Sequence, residues 1–234
     1  MSASRLKGKP LRKINNLPII CHVLKKAKET GLRAIIATED KEIIKAVAEN
    51  GGGETILTGK HNTGTDRIYE AFQKLKNKDV DYVLNLQGDE PMIDPKDIIN
   101  LNNLMVKFNS DIGTLAAEIK EDQILKSENI VKVVTEKKLK NNNFVKALNF
   151  SRKYNLKEKK NIYHHIGIYC YKISILEKFI KLNQTKNELE NKLEQLRALD
   201  NNIEINVALA KSSPIGVDTE EDYIDLKKIM EYKS

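Results

Sequence analysis

DYVLNLQGDEPMI, residues 81–93, sets an apolar run against an abrupt polar end. Val83, Leu84 and Leu86 have the composition of a short buried strand, which Gln87, Gly88, Asp89, Glu90 and Pro91 then stop. Ligands in open α/β sheets collect at the carboxyl ends of strands, so acids placed here are well sited for chemistry. Gly88 lets a backbone come close to a ligand, and Pro91 stiffens the exit. Two adjacent carboxylates beyond a buried strand suit a hard cation such as Mg²⁺, which one or two carboxylates hold together with substrate phosphates. A capped turn leading into the next helix accounts for the same residues equally well.

Working outward, apolar runs alternate with helical periods through the first half of the chain. The pattern predicts helices over 19–29, 40–49, 65–76 and 95–107, the first opened by Pro18 and stopped by Gly31. Strands are predicted over 32–37, 55–57 and 80–86. This alternation argues for an α/β fold with a doubly wound, mostly parallel sheet. The second half changes character: 111–118, 130–135, 144–148 and 162–171 alternate or run apolar with few helices between them. They predict an antiparallel extension that offers an oligomer surface, over about 111–200, within one domain spanning 1–234. Helices return at 173–181 and 189–199, a strand follows at 203–209, and an amphipathic helix over 220–230 closes the chain.

Composition narrows the classes. The 234 residues are 40% hydrophobic and 31% charged, enough for a sizeable core under a charged surface. No apolar run approaches the roughly 20 residues that cross a bilayer, and the basic start has no apolar stretch behind it to make a signal peptide. Cys21 and Cys170 lie far apart in apolar surroundings and read as small core residues of a reducing compartment. The net charge of +7 is spread along Lys/Asn-rich loops, and the chain has no Trp, so a nucleic-acid footprint has little to build on. A basic cleft for a polyphosphate fits better.

Three further clusters carry chemistry. Arg5, Gly8, Lys9 and Pro10 place two cations around a glycine, which suits a triphosphate, although the P-loop pattern is absent and a solvated basic tail explains them more simply. His61, Thr63, Gly64, Thr65, Asp66 and Arg67 crowd polar groups at a helix start, where Thr63 or Thr65 caps the helix and the surplus suits a base or phosphate. Asp218, before the last helix, reads as an N-cap by itself; joined to Asp89 it would complete a divalent-metal clamp.

The clusters occur in an order that resembles a known family. RLxGKPL (5–11), HxTGTDR (61–67), QGDEPMI (87–93), HIGIY (165–169), LEQLR (193–197) and GVDT (216–219) follow one another. Together they closely resemble the 3-deoxy-manno-octulosonate cytidylyltransferases, the CMP-Kdo synthetases, from residue 1 to about residue 223. The resemblance implies a Mg²⁺-dependent nucleotidyltransferase of GT-A-like fold that joins CTP to the sugar acid Kdo for lipopolysaccharide synthesis. It implies Asp89 and Asp218 as metal ligands, with Lys9 beside them in catalysis. Arg5, Gly8 and Lys9 would meet the triphosphate, and Thr63, Gly64 and Gln87 the cytidine side. Arg152 would meet the sugar's carboxylate, while His165, Tyr169, Glu194 and Gln195 would hold its hydroxyls. A cytoplasmic homodimer with neither nucleic-acid nor membrane partners is implied as well. Read alone, His165 in its apolar strand is a satisfied structural histidine, and Glu194 with Arg197 is a simple i,i+3 pair.

Departures from the family bear on this reading. Lys7 stands where the family has Pro, the loop between Arg152 and His165 is short and Lys-rich, and Thr185-Lys186-Asn187-Glu188 replaces Ser-Pro-Leu-Glu. Two rival readings are a cytidylyltransferase for another acid, such as 8-amino-Kdo or a sialic acid, and a non-catalytic CTP-binding relic. The family's opening strand has no counterpart ahead of residue 1. Its loss would leave buried backbone groups unpaired at about 1–3 kcal/mol each, so Met1 is expected to be an internal methionine of a longer protein. Mass-spectrometric detection of an upstream peptide is the expected result; an active protein whose mature N-terminus is Met1 or Ser2 would contradict it.

Overall fold

The computed structural model describes residues 6, 8–76, 78–120, 122–154, 160–211, 213, 216–217 and 219–232. The chain divides into two compact units, one drawn from 1–78, 87–96 and 214–234 and the other from 79–86 and 97–213.

The first unit opens with a 3₁₀ turn, Lys9–Leu11, followed by the hairpin of β1 (Lys13–Ile14) and β2 (Leu17–Pro18). Asn15 and Asn16 link the two strands at φ 49° and 60°, the two left-handed positions a type I′ turn demands and Asn tolerates. Pro18 then caps α1 (Ile19–Glu29), which buries Ile19, Cys21, Val23 and Leu24. Beyond it come β3 (Ile35–Thr38), α2 (Lys41–Glu49), β4 (Glu54–Leu57) and α3 (Gly64–Lys74). The Asp40 carboxylate accepts from Glu42 N at 2.8 Å and so starts α2. β3 and β4 run parallel, from Ile35 opposite Glu54 to Thr38 opposite Leu57. Cys21, Leu24, Ile36 and Val47 form one apolar core here.

The second unit holds β5 (Tyr82–Asn85), α4 (Pro95–Phe108, from Asp97 on), β6 (Ile112–Ala117), α5 (Asp122–Lys126) and β7 (Lys132–Thr135). It continues through β8 (Val145–Ser151), β9 (Ile162–Lys172), α6 (Ile173–Phe179), α7 (Lys186–Asn191), α8 (Gln195–Asp200) and β10 (Ile205–Leu209). Six of its strands make one sheet in the order β5-β9-β6-β10-β8-β7, and β7 pairs with β9 as well. The sheet is mixed, not mostly parallel. Only β10 and β6 run parallel in it, because β9 lies between β5 and β6 and opposes both. The last helix, α9 (Glu220–Tyr232), belongs to the first unit, where Leu226 packs with Leu6, Ile14, Ile19 and Val217.

One predicted helix is two. The period over 189–199 predicts continuity, yet Lys192 adopts φ 54° between α7 and α8, and Leu193 N closes onto Glu188 O at 3.2 Å. A continuous helix would carry Leu189, Leu193 and Leu196 along one stripe. The break leaves Leu189 55% exposed while Leu193 and Leu196 stay buried. Among the described residues no helix is long and apolar enough to cross a membrane.

β6 is buried at every position, and its Gly113 admits no larger residue without movement. A Cβ there would stand 2.5 Å from Met105 Sδ, 2.7 Å from the Phe144 ring and 3.0 Å from Leu101 Cδ1. Gly113→Ala is therefore expected to destabilise the protein by about 1–3 kcal/mol in urea unfolding. An unchanged midpoint would show that these side chains yield freely.

Candidate active site

In the first unit the site begins at Gly8, whose φ of 67° reverses the chain ahead of Lys9. Pro10 holds the turn, and Leu11 N and Arg12 N close onto the Gly8 and Lys9 carbonyls at 3.0 and 3.2 Å. The buried Lys9 stem delivers its ammonium to Asp89 Oδ2 at 2.6 Å. Asp89 stands where 81–93 leaves its strand, in the 87–96 segment of the first unit, and its carbonyl accepts from Val217 N at 3.1 Å. Asp218, next in sequence to Val217, and Arg5 both lie outside the described residues. Gln87 is exposed, and a Cβ on Gly88 would meet Ile20 Cδ1 at 2.9 Å, so the backbone there is pressed close to α1.

Thr63 caps α3: its hydroxyl oxygen accepts from Asp66 N at 3.2 Å, and the hydroxyl donates to Asp66 Oδ2 at 2.9 Å. Gly64 opens the helix and is exposed, at the end where the helix dipole favours an anion. Glu70 is a positioning group that sequence reasoning missed. Its carboxylate takes Lys74 Nζ at 2.6 Å, the His61 ring, and Gly59 N at 2.9 Å, so one acid ties the 59–63 loop to α3. Those three donors, Lys74 foremost, hold its pKa down to about 2. The Glu70–Lys74 spacing of four was legible on a helix, but nothing in the sequence linked Glu70 to His61.

In the second unit His165 and Tyr169 are neighbours on β9, with ring centroids 5.4 Å apart. The β9–β6 register shifts between Thr114 and Leu115. Thr114 spans that irregularity by donating its hydroxyl to Ile168 O at 2.6 Å, and the same oxygen accepts from His165 Nε2 at 3.0 Å. The imidazole also packs edge-on against Phe150. Burial, with His164 beside it, pushes the His165 pKa down to about 3. The ring is therefore neutral, with Nε2 occupied by Thr114 as a structural histidine's would be. The Tyr169 hydroxyl differs, being buried with no hydrogen-bond partner among the described residues. Burial raises its pKa well above the ordinary phenol range, helped by Tyr171 and by Glu194.

Glu194 precedes α8 and Gln195 opens it, buried to 9% exposure. Arg197 makes the expected i,i+3 ion pair with Glu194 at 3.8 Å. Its guanidinium forks onto Glu188 at 2.8 and 2.5 Å and lies over the Phe179 ring. Burial alone would raise the Glu188 pKa, but the hydrogen bonds from Arg197 and Gln184 outweigh it and the net shift is downward. Glu188 also completes a capping box with Thr185, so the changed Thr185–Glu188 sequence starts α7 soundly. Arg152, just beyond β8, donates Nη1 to Asn129 O at 3.0 Å and Glu128 O at 3.4 Å. The structure thus brings Lys9 to Asp89, and His165 to Tyr169, and leaves Arg152 at the end of the strand that carries Phe150.

This architecture is that of the α/β nucleotidyltransferases. A UDP-glucose pyrophosphorylase superposes with a TM-score of 0.72 over 100% of this chain and 96% of its own, at 14% identity, a likeness of fold alone. The cytidylyltransferase family pattern matches residues 1–205. A 3-deoxy-manno-octulosonate cytidylyltransferase from Bartonella tribocorum is 38% identical over 98% of this chain and 95% of its own. One from Brucella ovis is 41% identical over 95% and 89%. The solved CMP:2-keto-3-deoxy-manno-octonic acid synthetase complexed with CTP superposes with a TM-score of 0.87 at 32% identity, over 99% of this chain and 95% of its own. The chain belongs to the cytidylyltransferase family and, within it, to the 3-deoxy-manno-octulosonate cytidylyltransferases.

The His165 shift fixes a pH dependence. Its folded pKa lies below the unfolded value, so the unfolded state binds the extra proton. The stability this withholds is fully present above about 6.5 and is lost as pH falls toward about 3. The melting temperature should fall between pH 7 and pH 5, and less steeply in His165→Gln; equal slopes in the two proteins would contradict it.

Proposed function

We propose that this chain transfers CMP from CTP to the anomeric hydroxyl of 3-deoxy-D-manno-octulosonate (Kdo), releasing pyrophosphate, for lipopolysaccharide synthesis. The observation that carries the reading is the buried Lys9 ammonium 2.6 Å from Asp89, within a chain that matches named relatives almost end to end. A second acid specificity, such as 8-amino-Kdo, and a non-catalytic relic are not favoured by those relatives.

The reaction is an in-line displacement. The Kdo C2 hydroxyl oxygen bonds to the α-phosphorus of CTP, the bond from that phosphorus to the bridging oxygen breaks, and pyrophosphate leaves with that oxygen. The hydroxyl proton passes to solvent. The protein's contribution is positioning and charge neutralisation. Lys9, aided by Arg5 and the Gly8 turn, neutralises the triphosphate. Thr63, Gly64 and Gln87 take the cytidine side. Arg152 meets the Kdo carboxylate, and Tyr169, His165, Glu194 and Gln195 its hydroxyls. The unpartnered Tyr169 hydroxyl supports that assignment best, since a buried O–H needs a partner. His165 has only Nδ1 left to offer.

Asp89 and Asp218 would hold Mg²⁺. The fit is chemical: a carboxylate with 24% side-chain exposure is a hard oxygen donor, and Mg²⁺ takes one or two such groups with substrate phosphates. Bound there, Mg²⁺ supplies Lewis-acid polarisation of the phosphate and of the attacking hydroxyl. A cytoplasmic homodimer completes the proposal.

Pyrophosphate release from CTP, Mg²⁺ and Kdo tests it. The wild-type protein should turn over, and Asp89→Ala should lower kcat by about a hundredfold or more. Folded wild-type protein that binds CTP yet releases no pyrophosphate with Kdo would overturn the assignment.

A further inference from the structure

Lys132 is a residue that neither the motifs nor the proposed reaction use. It lies on β7 with 0% exposure, a cation in a position where an apolar side chain would avoid the cost of desolvation. On that strand it pairs with Ser151 of β8 on one side and His164 of β9 on the other. Its ammonium donates to three backbone carbonyls: Arg152 O at 2.5 Å, Ser127 O at 2.6 Å and Ile130 O at 2.9 Å. All three ammonium donors are thereby used. Burial lowers the Lys132 pKa, and Arg152 adds to the effect.

What matters is where those carbonyls come from. Two belong to the 127–130 segment and the third to Arg152 itself. The same segment supplies the carbonyls of Glu128 and Asn129 that accept from Arg152 Nη1. One buried ammonium therefore holds the Arg152 backbone and, through 127–130, the acceptors that orient the Arg152 guanidinium. A satisfied ammonium that only filled space would have no reason to gather both anchors of one exposed-end cation.

We propose that Lys132 is a positioning residue that sets Arg152 for the carboxylate of the sugar-acid substrate; this rests on the reading of Arg152 as that carboxylate's partner. A methionine at 132 keeps the stem and removes the three hydrogen bonds. The 127–130 segment and Arg152 then lose their common anchor, and the guanidinium samples orientations that miss the carboxylate. Binding of CTP has no reason to change, because the groups proposed for it lie in the other unit.

The test is steady-state kinetics on the full chain with Kdo and CTP for wild type, Lys132→Met, Arg152→Ala and the double variant. The expected result is a KM for Kdo raised by about tenfold to a hundredfold in Lys132→Met, the upper figure being what a misplacement of about 1 Å can cost. The KM for CTP should be unchanged, and the double variant should be no weaker for Kdo than Arg152→Ala alone. A KM for Kdo raised in Arg152→Ala but not in Lys132→Met would overturn the role of Lys132 and leave that of Arg152 intact. So would equal rises in both KM values, or additive effects in the double variant. No change in Arg152→Ala would remove the underlying reading and this inference with it. Should Lys132→Met not fold, Lys132→Arg carries the test. Its planar fork keeps the charge but cannot reach three converging carbonyls, so the same selective rise for Kdo is expected, and its absence overturns the proposal.

Discussion

An ammonium and a carboxylate held 2.6 Å apart, Lys9 and Asp89, are the constraint on which the first unit turns. The two residues are eighty positions apart in sequence, and each has its own local device. Gly8 in a left-handed conformation aims Lys9, and the close fit of Gly88 against Ile20 fixes the backbone ahead of Asp89. The carbonyl of Asp89 ties down Val217, and Val217 packs with Leu6, Ile14, Ile19 and Leu226. Met92, just beyond Asp89, packs on the same cluster, so three distant stretches of chain share it. A partly buried pair of this kind is weak support for stability by itself, since desolvation offsets its attraction. In the proposed reaction the pair presents opposite charges for a polyphosphate and a cation to take over.

The second unit solves a different problem, that of keeping buried polar groups oriented. Thr114 spans the register shift of β9 and fixes His165 at Nε2. Glu188 is shared between a helix cap and the Arg197 fork. Lys132 gathers three carbonyls. In each case a polar side chain away from water is matched donor for acceptor, so its neighbours are rigid. The Tyr169 hydroxyl is an exception: it is buried with no hydrogen-bond partner among the described residues.

Much of this was legible in the residues. Strand and helix periods placed most elements, though not the 3₁₀ turn, the β1–β2 hairpin or α5, and Pro18 and the Thr63 cap behave as their local chemistry demands. What escaped was set by tertiary contacts. The antiparallel course of β9 depends on which strands it joins, which no local period reports. The helix over 189–199 breaks because the core takes Leu193 and Leu196 and leaves Leu189 out. Arg197 makes the expected i,i+3 pair with Glu194 at 3.8 Å, but its closer pairing with Glu188, nine residues away, was not legible. His61 with Glu70, and Lys132 with Arg152, are likewise matches between segments. The candidate residues were named from their types and order; the groups that hold them, Glu70 and Lys132 among them, were not.

The proposed reaction needs Asp89 to answer to a cation beside the nucleotide's phosphates. Titration calorimetry of CTP, with and without Mg²⁺, into the wild-type protein and Asp89→Asn addresses this directly. Mg²⁺ is expected to tighten CTP binding to the wild type by about tenfold or more, the carboxylate and phosphates sharing the ion, and to have little effect in Asp89→Asn. An equal Mg²⁺ dependence in both proteins would contradict the account.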